Sequence, residues 1–180
     1  MIAVLAAALD DTDIARWLVP DRAERADVYR RYFALVTPWF FDNGTVDVAD
    51  DRSGAALWAR IDGKFEPDIA DYDQELAHAC GPALGRFLQL DEDMHEAHPA
   101  GMRHDYLAFL GVAPDRQGHG IGSRLLQAHH RRSDRDRLPA YLEATGRRNA
   151  ALYARHGYAE NEPFHIGDGP PLYPMLRQPQ

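Results

Sequence analysis

The chain has 180 residues, of which 45% are hydrophobic and 27% are charged, and its formal net charge is −8. This length predicts one domain, residues 1–180, with a sizeable core. No apolar run approaches the ~20 residues of a membrane-spanning helix. The run over Met1–Leu9 has no basic residue ahead of it, so we expect neither a membrane anchor nor a signal peptide. A single cysteine, Cys80, excludes an intrachain disulfide and favours a cytoplasmic location.

The charge is distributed unevenly along the chain. Residues 1–100 contain 20 acidic and 9 basic residues, whereas residues 101–180 contain 8 acidic and 11 basic residues. An isoelectric point near 5.5 argues against nucleic acid as a partner. An acidic half beside a mildly basic half suits a cationic substrate and an anionic cosubstrate, although solubility alone explains the pattern equally well.

The first helices follow from apolar residues at helical spacing. Residues 4–18 show this spacing with a break at Asp10, and a second helix is predicted over residues 22–36. Asp21 is a suitable N-cap for this second helix. Pro38 is expected to end it, because proline lacks the N–H group that a helix interior needs.

The middle of the chain contains a predicted hairpin followed by helices. Residues 45–49 alternate between polar and apolar side chains, and residues 55–61 follow a turn signal as the partner strand, which predicts a hairpin. Residues 74–90 have a helical pattern that Gly81 divides into two pieces. Residues 95–101 are expected to form a loop.

The last third of the chain alternates between strands and helices. Residues 106–112 form an almost unbroken apolar run, which is typical of a strand buried on both faces. A glycine loop at 118–122 follows, and the pattern then predicts a helix at 121–132, a strand at 141–144, a helix at 149–156 and strands from 158 and at 172–176. This order predicts a mixed sheet flanked by helices.

The glycine loop is the most informative segment. Gly118, Gly120 and Gly122 alternate between a buried strand and a helix start, so backbone N–H groups can turn inward toward an anion. The natural ligand of such a loop is a phosphate or pyrophosphate. No lysine follows Gly122, which excludes a P-loop, and the spacing differs from the dinucleotide-binding Gly-x-Gly-x-x-Gly pattern.

Two motifs in this half carry a family resemblance. The segment Gln117-Gly118-His119-Gly120-Ile121-Gly122 resembles the Gln/Arg-x-x-Gly-x-Gly/Ala motif of the GNAT superfamily of acyl-CoA N-acyltransferases. The segment from Arg148 to Tyr158 resembles the second signature of that superfamily, with Asn149, Leu152-Tyr153 and Gly157-Tyr158. The resemblance extends from residue 104 to about 176. Within the superfamily, His104-Asp105-Tyr106-Leu107 and Tyr141–Thr145 resemble the puromycin-N-acetyltransferase-like branch.

The resemblance implies an α+β fold: a mixed, mostly antiparallel sheet with splayed central parallel strands and helices on both faces. Residues 1–100 then build mainly the acceptor side, and residues 101–180 build the acetyl-CoA-binding core. Such proteins usually begin with a strand before the first helix. Here that strand is either absent or replaced by Met1–Leu5.

The resemblance also implies acetyl-CoA as the acetyl donor. The pantetheine arm is expected in the splay and the pyrophosphate on the glycine loop. The implied donor-binding residues are Leu110, Gly111, Val112, Gln117, Gly118, His119, Gly120, Ile121, Gly122, Ser123, Arg124 and Asn149.

The implied reaction is direct attack of an amine on the acetyl thioester. Tyr153 is the expected proton donor to the departing thiolate. Glu143 is the first candidate for the base or for an amine-binding acid, with His104, Tyr106 or a water chain as alternatives. In the competing interpretation, Glu143 is a structural carboxylate that pairs with Arg147 or Arg148.

We expect the acceptor to be a primary amine of a small molecule. The alternatives are a peptide or protein amine, or a non-catalytic acyl-CoA-binding module, and the chain is expected to be a monomer or homodimer. No metal site is expected, because His95-x-x-His98 lacks a third ligand and is interpreted as a solvated loop. His129-His130 is interpreted as an exposed helix end, and Cys80 as a small buried residue.

Overall fold

The computed structural model describes residues 1–180 and contains seven helices and seven strands. The helices are α1 (Ile2–Leu9), α2 (Asp13–Leu18), α3 (Arg22–Asn43), α4 (Tyr72–Cys80), α5 (Leu84–Ala97), α6 (Ile121–Arg135) and α7 (Arg147–Ala154). The strands are β1 (Thr45–Val48), β2 (Gly54–Asp62), β3 (Arg103–Val112), β4 (Ala140–Ala144), β5 (Ala159–Glu160), β6 (Phe164–His165) and β7 (Pro171–Arg177). None of the helices combines the length and the apolar character that crossing a bilayer requires.

The seven strands form one mixed sheet. Its order is β1-β2-β3-β4-β7-β5, with β6 beside β7, and β3 and β4 are its only parallel neighbours. Pairing between β3 and β4 is confined to Asp105 with Ala140 and Tyr106 with Tyr141. Beyond these pairs the two strands separate toward their carboxyl ends. The predicted fold class, including the splayed parallel strands, is therefore confirmed.

Each face of the sheet has its own apolar core. The helices α1 to α5 cover one face, where side chains such as Phe33, Phe40 and Phe87 pack against alternate residues of β2 and β3. The helices α6 and α7 cover the other face, where Leu126 packs beside Trp58. Cys80 is buried in the first core, as expected for a small apolar residue.

Helix α3 is longer than the sequence predicts. It begins after the Asp21 cap, whose carboxylate accepts a hydrogen bond from the Ala23 N–H at 2.8 Å, but it continues through Pro38 to Asn43. Pro38 costs the helix one backbone hydrogen bond. The next turn is nevertheless held in place because Phe40 is buried against Phe65 and Phe109.

The amino-terminal segment is helical, so the suggestion that Met1–Leu5 serves as a strand is wrong. Helix α1 packs directly on β3, where a Cβ at Gly111 would lie 3.0 Å from Leu5 Cδ2 and 3.0 Å from Ala8 Cβ. The expected loop at 95–101 is also shorter than predicted, because α5 extends to Ala97.

Candidate functional site

A cavity of about 460 Å³ opens on the splay between β3 and β4. Most of its lining comes from residues 1–100 and is apolar or aromatic, with β3, β4 and α7 supplying the rest. Its carboxylates are Glu66, Asp91 and Glu143, and no lysine or arginine lines it. The cavity therefore has the charge expected of a site for a cationic ligand.

Glu143 lies on β4 at the start of the splay, and its side chain is only 2% exposed. Its Oε2 accepts a hydrogen bond from the Tyr106 hydroxyl at 2.9 Å, whereas its Oε1 is buried with no hydrogen-bond donor. Arg147 pairs with Glu160 instead, at 2.6 and 2.9 Å, and does not reach Glu143. A buried carboxylate oxygen without a donor is costly, which points to a donor that a ligand supplies.

His98 and His104 form a chain of hydrogen bonds that ends near Glu143. His104 Nδ1 lies 2.8 Å from the Met102 carbonyl oxygen, so this nitrogen carries the hydrogen and donates. Burial lowers the pKa of His104 and keeps the ring neutral, which leaves its Nε2 as an acceptor. His98 Nε2, at 3.1 Å, must therefore donate to it.

This arrangement fixes the tautomer of neutral His98. With its hydrogen on Nε2, the lone pair of Nδ1 points toward Glu143 Oε1, 3.8 Å away. The distance is too long for a hydrogen bond, and both atoms are acceptors. The side chain of His98 is 3% exposed and lines the cavity. With this tautomer, two buried acceptors lie 3.8 Å apart, and one ammonium group of a ligand can donate to both of them.

Tyr153 lies on α7 at the wall of the same cavity. It packs against Tyr158 with ring centroids 5.8 Å apart, and no protein group hydrogen-bonds its hydroxyl. Burial raises the pKa of Tyr153, so the phenol stays protonated and can act as a proton donor. Asn149, one turn earlier on α7, donates to Thr145 Oγ1 at 2.9 Å and ties the start of α7 to the end of β4.

The glycine loop presents a row of free donors. Every backbone N–H from Gln117 through Ser123 lacks a protein acceptor. Gly118 and Gly120 have φ values of 80° and 76°, which L side chains rarely adopt. The guanidinium of Arg124 folds over the loop and donates to the His119 carbonyl oxygen at 3.1 Å. This loop therefore fits a pyrophosphate group.

The edge of β3 offers backbone groups to the splay. The Ala113 N–H donates to Ser53 toward β2, and backbone groups alternate in direction along a strand. The polar groups of Val112 and Leu110 therefore point away from β2, and those of Gly111 point toward it. Gln117 Nε2 donates to the Val112 carbonyl oxygen at 3.2 Å from the open side.

The remaining donor-site candidates lie beside the loop on α6. Ser123 Oγ lies 3.0 Å from His156 Nε2, and Ile121 is buried under the loop. The structure thus brings Leu110, Val112, the glycine loop, Asn149 and Tyr153 to one side of the splay. Gly111, also expected at the donor site, instead turns its polar groups toward β2 and belongs to the packing of α1 on β3.

Two histidine predictions from the sequence are wrong. His98 is buried at the end of α5 beside Glu143, not solvated in a loop. His129 and His130 are also buried: His129 stacks on Trp58 at 3.9 Å, and His130 Nε2 lies 3.0 Å from the Tyr158 hydroxyl. The apolar neighbours of these rings come from distant elements, which local sequence patterns do not reveal.

Comparison with known proteins finds similarity to an acetyltransferase family over part of the chain. Residues 82–160 match the family model of the acetyltransferase (GNAT) domain. A sequence relative, a DNA polymerase IV of Streptococcus pyogenes, is 27% identical over 106 residues, which are 57% of this chain. The chain spans only 29% of the length of that relative.

Solved structures resemble the chain over almost its whole length. A Corynebacterium glutamicum protein described as histone acetyltransferase HPA2 and related acetyltransferase matches with a TM-score of 0.73 and 27% identity, covering 99% of this chain and 90% of that one. Arylalkylamine N-acetyltransferase 2 from Aedes aegypti has the same fold, with a TM-score of 0.66 and 12% identity, covering 99% of this chain and 93% of that one. Residues 82–160 are thus similar to the acetyltransferase (GNAT) domain, and the whole chain shares the fold of these solved acetyltransferases.

Proposed function

We propose that the protein is an acetyl-CoA-dependent N-acetyltransferase that acetylates a primary amine of a small molecule by direct attack. The observation that carries this proposal is the pair of buried acceptors, His98 Nδ1 and Glu143 Oε1, 3.8 Å apart in the cavity at the splay. Such a pair suits an ammonium group that must be held and then deprotonated. Tyr153 lines the same cavity with a protonated hydroxyl.

The residues of the chain divide the proton transfers between them. Glu143 Oε1 accepts an N–H of the incoming ammonium, and His98 Nδ1 removes the proton that frees the nitrogen lone pair. His104 holds His98 in the tautomer that this step needs. When the amide forms, the nitrogen loses its second proton to solvent, and the leaving sulfur gains one from Tyr153. His98 then gives its proton to solvent and the Tyr153 phenolate takes one from solvent, so one proton is released per turnover.

The donor supplies an activated acetyl thioester, which the glycine loop and the edge of β3 are built to hold. The free N–H groups from Gln117 to Ser123 face the pyrophosphate, and Arg124 adds positive charge beside it. The backbone of Leu110 and Val112 pairs with the pantetheine arm in the manner of an added strand. This assignment keeps the residues expected from the sequence to bind acetyl-CoA, except Gly111, and it gives the hydrogen bond to the thioester carbonyl oxygen to the Leu110 N–H.

The shape of the cavity favours a small acceptor. The walls are aromatic and enclose the reaction end, where Phe65, Tyr106 and His98 pack together with ring centroids 4.8–6.5 Å apart. The likeness to the Corynebacterium protein makes a protein amine the second candidate. We also place the chain in the puromycin-N-acetyltransferase-like branch on its Tyr141–Thr145 and Leu172–Met175 segments.

The test is thiol release from acetyl-CoA with a panel of primary amines, a histone-type peptide and no acceptor. Release that depends on a small amine, with acetylation of that amine confirmed by mass spectrometry, is the expected result. His98→Gln is expected to lower kcat by about 100-fold or more, because the base is lost. Its matched control is His165→Gln, since His165 is exposed on β6 and does not line the cavity. Acetylation of the peptide alone, or CoA binding without any transfer, contradicts the proposal.

A further inference from the structure

We propose that the Asp91 carboxylate, hydrogen-bonded by Tyr72, is a second anchor in the acceptor cavity. It selects amines with an apolar body that ends in a hydrogen-bond donor, either a hydroxyl or a second ammonium group. The inference rests on the proposed function and specifies the acceptor of that same site. The Asp91 carboxylate has no part in the proton transfers proposed above.

Asp91 lines the same cavity as Glu143 but has few partners of its own. Its Oδ2 accepts a hydrogen bond from the Tyr72 hydroxyl at 2.8 Å, and no other protein group donates to the carboxylate. No lysine, arginine or histidine forms an ion pair with Asp91. A half-buried carboxylate without a cation is an expensive feature, which is retained where a ligand completes it.

The surroundings of Asp91 disfavour its ionised form, but not enough to protonate it at the pH of use, and the form matters for recognition. Burial raises the pKa of Asp91 to about 6, the Tyr72 hydrogen bond opposes this, and Asp73 adds to it. The carboxylate therefore predominates at pH 7.5 and above. As an ion it only accepts hydrogen bonds, so the matching ligand group must be a donor.

Helix α5 sets the distance between the two anchors. Phe87, Asp91, Met94 and His98 follow one another at helical spacing and all line the cavity, so α5 runs along its wall. Asp91 precedes His98 by about two turns, which corresponds to about 10 Å along the helix axis. A ligand that joins the two anchors is therefore elongated.

The wall between the anchors is apolar and aromatic. Tyr32 packs against Phe87 with ring centroids 5.0 Å apart, and Phe33 against Phe109 at 5.0 Å. These rings exclude water from the middle of the ligand and reward an aryl or alkyl body. A polyamine with charged nitrogens in its middle does not match this wall.

The experiment compares matched pairs of amines at pH 8. Tyramine and phenethylamine differ by the terminal hydroxyl, and 1,7-diaminoheptane and heptylamine differ by the terminal ammonium group. Wild-type protein is expected to prefer the donor-bearing member of at least one pair by about 10- to 100-fold in kcat/KM, the effect of a hydrogen bond to a charged group. The pair that shows the preference identifies the donor as hydroxyl or ammonium.

Asp91→Ala is expected to remove that preference, so that the two members of the pair have kcat/KM values within about twofold of each other in this variant. Glu92→Gln is the matched control, since it removes one negative charge from the next position of α5, where the side chain is exposed. Calorimetric titration of tyramine into protein saturated with CoA gives a second readout that needs no turnover. Thermal melting checks that both variants are folded.

The outcomes separate this inference from the proposed function. Turnover of the plain amines with no preference in wild type, or a preference that survives in Asp91→Ala, overturns the Asp91 assignment and leaves the transferase proposal standing. No thiol release with any amine overturns the transferase proposal, and the Asp91 anchor falls with it.

Discussion

His98 and His104 are joined through their Nε2 atoms at 3.1 Å, and only one of the two can carry the hydrogen. The Met102 carbonyl oxygen determines which ring carries it. It accepts a hydrogen bond from His104 Nδ1 at 2.8 Å, so the Nε2 of neutral His104 has no hydrogen. The backbone carbonyl of Met102 thus determines which nitrogen of His98 faces Glu143. Second-layer hydrogen bonds of this kind orient metal-bound histidines in the same way.

The first prediction tests this relay. His104→Leu removes the acceptor of His98, so we expect kcat to fall by about tenfold or more, while the KM for acetyl-CoA stays unchanged. His104→Gln keeps an acceptor oxygen near the same place and is expected to recover much of the loss. Equal kcat values for the leucine and glutamine variants would show that His104 serves packing alone.

The second prediction concerns the proton given to sulfur. Tyr153→Phe preserves the ring that packs on Tyr158 but removes the hydroxyl, so turnover should fall by about 100-fold or more with CoA affinity retained. Tyr158→Phe is the companion variant, because the Tyr158 hydroxyl instead bonds His130. It should leave kcat within about twofold of wild type. Wild-type turnover in Tyr153→Phe assigns the proton to another group.

The third prediction tests the phosphate cradle. Gly120→Glu places a side chain and a like charge where the free N–H groups converge, so CoA binding measured by calorimetry should be lost. Gly63→Glu is the matched control: Gly63 also has a positive φ, of 122°, and nothing lies within 4 Å of its added Cβ. Both variants carry the cost of a left-handed backbone, and only the loop variant should lose CoA. Unchanged CoA affinity in folded Gly120→Glu would end the cradle assignment.

The sequence predicts the donor half of the protein better than the acceptor half. The glycine loop, α6, β4 and α7 are local patterns, and the structure places each of them within a few residues of its predicted bounds. Glu143 was predicted because it lies on a short strand between two motifs. Its free Oε1 depends on Tyr106 and His98, which no local pattern connects to it.

The acceptor half is determined by contacts between distant residues. Pro38 gives a strong stop signal, but burial of Phe40 outweighs it and carries α3 onward to close the cavity. His98 lies in a polar segment with Pro99 and Gly101, which favours a loop. Its burial follows from Tyr106 and Tyr141, whose rings lie 4.8 and 5.2 Å from its own. Long-range packing of this kind is outside the reach of periodicity.

The fourth prediction concerns stability on the opposite face of the sheet. Arg60 and Ser133 donate hydrogen bonds to Asp105, and His129 Nε2 lies 3.3 Å from its Oδ2; together these neighbours lower the pKa of Asp105 despite burial. A carboxyl group whose pKa is lower in the folded protein than in the unfolded chain stabilises the fold at any pH above its unfolded pKa of 3.8. This stabilisation is lost as the pH falls below that value. Asp105→Asn should therefore cost about 3 kcal/mol of unfolding free energy at pH 7. In urea melts the cost should shrink below pH 4, and a constant cost across pH contradicts the assignment.

The fifth prediction has the opposite sign and concerns Asp91. Its folded pKa of about 6 lies above the unfolded value of 3.8, so the ionised carboxylate destabilises the fold at neutral pH, and protonation relieves this as the pH falls from about 6 toward 4. Asp91→Asn, which keeps an acceptor for the Tyr72 hydroxyl, should raise the unfolding free energy at pH 7.5 by on the order of 2 kcal/mol. The gain should vanish near pH 4.

Urea melts of wild type, Asp91→Asn and Glu92→Gln across this pH range measure the effect. Glu92 is exposed, so its variant corrects for the loss of one negative charge from the acidic half of the chain. A stabilised Asp91→Asn protein that has also lost its preference for donor-bearing amines shows that the carboxylate is kept at the expense of stability for acceptor recognition. An Asp91→Asn protein less stable than wild type at pH 7.5 shows instead that the Tyr72 hydrogen bond to the ionised group holds α4 against α5.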